Sequence, residues 1–260
     1  MKKSLLIAFS AVLLLPLGLV AQEDGADEAP QPLSDVWIIV PKAGMEAEFT
    51  AAAAAEVAAQ AEAGSSRSWQ AFRPVVGHNL NVVQYRHCCF DWADVDVLVA
   101  EDTKLGLNDS WNKNVDPYVA HYHHYYERTD WENSHWPTEG TSGPYYGVTG
   151  WSIKQGAGPA GGQAKDKMSQ LALNDGWANA DNNWLWLDRI GGKPKMSIVS
   201  SYENYADMAP PEQSFFEFAS EKLGAEEASA MFSDFGSGFT DSDYTIWVRD
   251  ESLSSPSADE

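Results

Sequence analysis

The chain has 260 residues, with 38 Asp and Glu against 17 Lys and Arg, for a formal charge of −21 at pH 7. That balance excludes nucleic acid and anionic membrane surfaces as partners, because both need a basic footprint. Two cysteines exclude a disulfide framework, while 11 Trp, 10 Tyr and 10 Phe supply core material or a stacking surface.

The chain opens with MKKSLLIAFSAVLLLPLGLVAQED. Lys2 and Lys3 precede an apolar run from Leu5 to Val20 that is broken by Pro16 and Gly18. The run is short and no stop-transfer pattern follows, so residues 1–21 read as a secretory signal peptide with Ala21 last before cleavage. Leu19 is larger than the residue usual at that position. The predicted setting is periplasmic or secreted. Residues 22–34, QEDGADEAPQPLS, read as a disordered acidic lead-in.

DVWIIVP, Asp35 to Pro41, is β-branched and apolar and predicts a buried strand. Met45 to Ala63 is dense in the best helix formers and stops at Gly64. Arg67 to Val76 and Leu80 to Cys89 predict a hairpin around Gly77-His78-Asn79. Asp91 to Ala120 is helical in parts, capped at Asp91 or Asp94 and again at Asn108 or Asp109. The tyrosine-rich stretch VAHYHHYYERTD, Val119 to Asp130, predicts a strand.

The same order then recurs. Tyr145 to Lys154 is a strand, Gly156 to Gly162 a loop, and Ala164 to Ala180 a helix weakened by Gly176. Asn182 to Ile190 and Pro194 to Glu203 form a hairpin around Gly191-Gly192. Helices from about Glu212 to Leu223 and from Ala225 to Phe235 precede a strand from Asp243 to Glu251. Residues 252–260 read as a disordered tail. The halves also match in detail. Trp69 precedes Gly77 and Trp184 precedes Gly192 by the same interval, and Trp92-Ala93-Asp94 answers Tyr205-Ala206-Asp207. Each half, 35–137 and 138–251, thus reads β-α-β-β-α-β, the ferredoxin-like order. One such unit leaves a sheet face open, and two in tandem bury both. The predicted class is α+β.

On these residues the chain resembles the dimeric α+β barrel superfamily, which includes antibiotic-biosynthesis monooxygenase-like and NIPSNAP-like domains. The resemblance is carried by the strand, the PKAGMEAEF helix, the Trp-bearing strand, the glycine turn and the WAD step between Val36 and Asp94. Trp184 to Asp207 carries it more loosely. It implies a pseudo-dimeric barrel built from the two halves. Family members include haem-degrading and cofactor-free oxygenases, but no family active-site motif maps onto residues here, and the catalytic residues stay unassigned.

If Val119 to Asp130 is a strand, His121, His123, Tyr125 and Glu127 share one face and Tyr122, His124, Tyr126 and Arg128 the other. His121, His123 and Glu127 supply two imidazoles and a carboxylate, the donor set of a mononuclear metal site with open positions. The spacing resembles the first cupin motif, but Val115 stands where that motif has glycine and no second motif follows. Aligning Arg128 with Arg249 pairs Tyr125 with Ile246 and Glu127 with Val248. That alignment predicts a face partly buried against helices, an awkward place for a metal, unless the two halves have diverged and only one kept a site.

His78, His87 and His135 are candidate axial ligands for haem. Haem or a divalent transition metal is the cofactor such residues would take. Trp184 and Trp186 form an indole-rich strand face, either core or a barrel-lining platform. With Trp69, Tyr126 and Arg128 they make the candidate ligand-binding set. QGAGPAGGQAK, Gln155 to Lys165, lacks P-loop spacing, and no G-x-S-x-G elbow exists. Cys88 and Cys89 are neighbours, about 3.8 Å apart at Cα across a trans peptide and closer than ordinary bridges span. They are buried strand residues, a redox-active vicinal pair, or partners of another chain. Three functions stay open: a binder of a small apolar or aromatic ligand between the repeats, a haem- or metal-dependent oxygenase-like enzyme, and a structural protein with a filled core.

Overall fold

The computed structural model describes residues 31–136, 143–179 and 181–256. The predicted signal peptide at 1–21, most of the lead-in and the boundary at 137–138 lie outside the described residues. The first unit comprises β1 (Leu33–Pro41), α1 (Glu46–Glu62), β2 (Trp69–Val76), β3 (Val83–Phe90), α2 (Trp92–Leu105), α3 (Leu107–Asn114) and β4 (Val119–Thr129). The second comprises β5 (Tyr145–Ile153), α4 (Gly158–Asn174), β6 (Leu185–Ile190), β7 (Lys195–Tyr202), α5 (Phe215–Leu223), α6 (Ala225–Ser237) and β8 (Phe239–Arg249).

All strand pairs are antiparallel, and the sheet closes on itself in the order β1-β3-β2-β8-β5-β7-β6-β4. Within each unit this is the ferredoxin-like order. The units meet edge to edge at two seams. β2 pairs with β8, with Phe72 opposite Arg249, and β4 pairs with β6, with Glu127 opposite Arg189. Closure removes the open edges that each half would carry alone.

The helices lie outside the barrel. α1 turns Phe49, Ala53 and Val57, at helical spacing, onto Ile39, Ala71, Val83 and Tyr85. α4 and α6 cover the second unit, where Ala164, Ala172 and Phe235 meet Trp184, Trp186 and Met196. The Asp91 N–H donates to the Asp94 carboxylate at 2.8 Å at the start of α2. α2 ends at Gly106, whose φ of 67° suits glycine, and α3 starts directly after it rather than at Asn108 or Asp109.

Three expectations are corrected. β1 begins at Leu33, and the Pro32 carbonyl accepts a bond from the Thr129 N–H at 2.7 Å, so the chain is ordered before Asp35. α4 starts at Gly158 instead of Ala164. Pro159 sits in its first turn, where a fixed φ favours helix, and Gly238 lets this turn approach closely, since a Cβ there would stand 3.1 Å from the Gly161 Cα. The tail is not free at its start. Glu251–Leu253 form a 3-10 turn, Leu253 is fully buried in the cluster under α1, and the Ser254 and Ser255 hydroxyls accept from the Ala71 and Trp69 N–H groups of β2.

Candidate functional site

The strands present one face to the helices and turn a mixed set of polar and apolar residues toward the barrel axis, Leu185, Leu187 and Val199 among the latter. In β3, Val83, Tyr85 and His87 are buried on the helix side, while Gln84, Arg86 and Cys88 face inward. The interior residues enclose a cavity of about 810 Å³, within the range typical of small-molecule sites. Aromatic and aliphatic groups from both units form much of its wall, and Phe72 of β2 meets Tyr146 of β5 edge-on at 5.3 Å.

The charges in this wall decide what it can hold. Arg86, Arg189, Lys195 and Arg249 line it against only two carboxylates, Glu127 and Asp243. Lys195 Nζ donates to Asp243 at 2.6 Å and Arg249 pairs with the exposed Glu251 at 2.9 Å. Gly150 makes the first pair feasible, since a Cβ there would collide with the Lys195 side chain. The Arg189 guanidinium stacks on the Tyr125 ring at 3.9 Å. Burial pushes the Glu127 carboxyl above the usual carboxylate range, against the opposing pull of Arg86, Arg189 and Lys195. Burial likewise lowers Arg86, against the pull of Glu127. In a chain of charge −21, the cavity is a local excess of cations.

The sequence-predicted residues divide by strand parity. His121, His123 and Glu127 do face the cavity. The predicted burial of that face against helices is wrong, because Asp243, Thr245, Trp247 and Arg249 of β8 point inward while Arg128 of β4 points out. Aligning Arg128 with Arg249 was therefore off by one residue, which exchanges the faces of a strand. The metal set itself does not assemble. Among the described residues no three His, Cys, Asp or Glu side chains converge to hold a metal. His121 and His123 sit exposed at the rim with ring centroids 5.3 Å apart. Glu127 lies four residues further on, about 13 Å along a strand, among the arginines.

Trp69, Trp184, Trp186 and Tyr126 are on the helix side, and none lines the cavity. The Trp186 indole N–H donates to Ser169 of α4 at 2.9 Å, and that of Trp184 to the Asn133 carbonyl at 2.7 Å. Trp69 packs edge-on against Tyr85, and Tyr126 lies between Phe90 and Trp92. Arg128 pairs with Asp188 at 2.9 Å and borders a separate open cleft. The indole face of β6 is core.

Haem fares no better. His87 is tied through Nδ1 to the Ser68 backbone, His124 to Asp35 at 2.9 Å, and His135 to the Asn179 carbonyl. The histidines that line the cavity, His78, His121 and His123, are exposed at its rim. Aromatic side chains fill the helix–sheet layer of the second unit. These residues do not fit a haem held by a buried axial histidine.

Arg86, Arg189 and Lys195 escaped the sequence reading. For Arg86 the signal was present: in VQYRHC, Gln84 and Arg86 alternate with the helix-facing Val83 and Tyr85. For Arg189 it was not, since LWLDRI puts Leu185 and Leu187 on the same inward face.

No protein-family model and no curated protein matches this chain. Solved structures do. A candidate monooxygenase from Lactobacillus acidophilus superposes with a TM-score of 0.51 at 8% identity, over 84% of this chain and 94% of that one. A mutant chlorite dismutase from Candidatus Nitrospira defluvii, solved in complex with cyanide, gives 0.50 at 9% identity, over 85% and 92%. At such identities the likeness is one of fold. The chain has the fold of a dimeric α+β barrel, formed within one polypeptide from two ferredoxin-like units.

Proposed function

We propose that this protein binds a small anion with an apolar or aromatic body inside the barrel, between its two repeats. The observation that carries the reading is the cavity wall, where Arg86, Arg189 and Arg249 stand among Phe72, Tyr125, Tyr146 and Trp247. Guanidinium groups recognise a carboxylate through paired N–H donors, and the aromatic rings stack on a flat apolar body. Lys195 is partly neutralised by Asp243 and Arg249 by Glu251, which leaves Arg86 and Arg189 as the main anion-holding groups. The setting is the one predicted from residues 1–21, outside the cytoplasm.

An open interior of about 810 Å³ argues against a purely structural protein with a filled core. Among the described residues no side chains converge on a metal or offer the cavity a buried axial histidine, so the binding reading is preferred.

The test is a thermal-shift and calorimetric screen of aromatic carboxylates against their neutral amides. Carboxylates should raise Tm and the amides should not. Arg86→Gln and Arg189→Gln should each weaken binding by roughly tenfold, the scale of one lost charged hydrogen bond. Equal binding of acid and amide would overturn the proposal.

A further inference from the structure

Cys88 and Cys89, the two cysteines of the chain, are joined to each other as a vicinal disulfide. Both line the barrel cavity and are only half-buried. A bridge between neighbours closes the shortest of loops. It takes little entropy from the unfolded chain and ties no two elements together. It is therefore not a staple, and its place in the cavity wall needs another account.

Exchange at a disulfide needs an accessible sulfur, and positive charge in the same pocket favours the thiolates that attack and depart. The cavity wall supplies both. Arg86 shares the inward face of β3 with Cys88, about 7 Å away along the strand. Arg249 lines the same cavity.

We infer that the Cys88–Cys89 pair is a thiol–disulfide exchange centre inside the barrel, with small carboxylate-bearing thiols as its co-substrates. The inference rests on the cavity being the ligand site. The thiolate of one small thiol attacks one cysteine Sγ. The bridge breaks, a mixed disulfide forms, and the other cysteine departs as a thiolate beside Arg86. A second small thiol attacks the mixed disulfide, releasing a small-molecule disulfide and the remaining cysteine. Two small thiols are oxidised, and the protein bridge takes up two electrons and two protons. A small disulfide drives the sequence in reverse.

The experiment treats the folded full chain, without oxygen, with reduced glutathione or with neutral 2-mercaptoethanol. The products are trapped with iodoacetamide and read as intact mass. Two alkyl groups should appear, and glutathione should react on the order of tenfold faster per thiolate, the low end of electrostatic steering. Arg86→Gln should slow glutathione several-fold more than the neutral thiol, and Arg86→Lys should restore the difference. In a Cys88→Ser chain, glutathione disulfide should leave one glutathione on Cys89. The inference is overturned if the untreated protein carries two free thiols. It is also overturned if only the unfolded chain is reduced, or if the anionic thiol has no advantage. Carboxylate binding by a chain with both cysteines replaced by serine separates the two claims: binding that persists there leaves the cavity reading standing even if exchange fails.

Discussion

Glu127 shows how much one residue's surroundings change its meaning. In the sequence it is the third member of an H-x-H-x-x-x-E set; in the structure it is a buried acid among Arg86, Arg189 and Lys195, with its carboxyl held above the usual range by burial. The unfolded chain therefore releases this proton at lower pH than the folded one. Between those two values the folded state binds more protons, so stability falls as pH rises through the window. Glu127→Gln removes that dependence. Urea midpoints measured from about pH 4 to about pH 7 should shift steadily in favour of the variant relative to the parent. Parallel profiles would show that Glu127 does not titrate with folding. A carboxylate ligand should bind the parent less well once Glu127 ionises, at pH above its raised folded-state value, and the variant should lose that dependence.

Among the elements, the segment after β8 departs furthest from its sequence reading. SLSSPSADE looks like a solvated end, yet Leu253 is fully buried against the α1 layer, and Ser254 and Ser255 hydrogen-bond to β2 at Ala71 and Trp69. β2 pairs with β8 only from Phe72 onward. The returning segment therefore satisfies the start of a strand that β8 does not reach. Leu253→Ala should cost about 2–5 kcal/mol, the range for deleting a fully buried leucine, read as a lower urea midpoint at unchanged slope. A loss within about 0.5 kcal/mol, the scale of a surface substitution, would mean that the segment is not part of the fold.

At the scale of the molecule, the barrel depends on both halves. Each unit alone would expose two unpaired strand edges, β2 and β4 in the first and β6 and β8 in the second. It would also expose the charged interior wall. Separately produced halves should therefore self-associate or aggregate on size-exclusion chromatography. Mixing them should yield a one-to-one complex that binds the carboxylates bound by the intact chain. A stable monomeric half with native strand content would contradict this dependence.

The architecture was legible because it is written in local, repeated signals. The Ala-rich run, the Gly77 and Gly191-Gly192 turns and the two Trp-to-Gly intervals fix element order without reference to distant residues. The ferredoxin-like order follows from them, and the alternation in VAHYHHYYERTD correctly separated His124 from His121 and His123. What the sequence could not decide was which face of each strand looks inward, since period-two alternation gives two faces and no label. The tertiary structure settles that through the helices. They claim the apolar faces, Trp69, Trp184 and Trp186 included, and leave Arg86, Glu127 and Arg189 to the interior. The spacing of His123 and Glu127, four residues or about 13 Å along an extended strand, already argued against one shared ion; whether residues of other strands come in to complete a site was not legible. Convergence is a distance in space, set only when the strands close into a barrel.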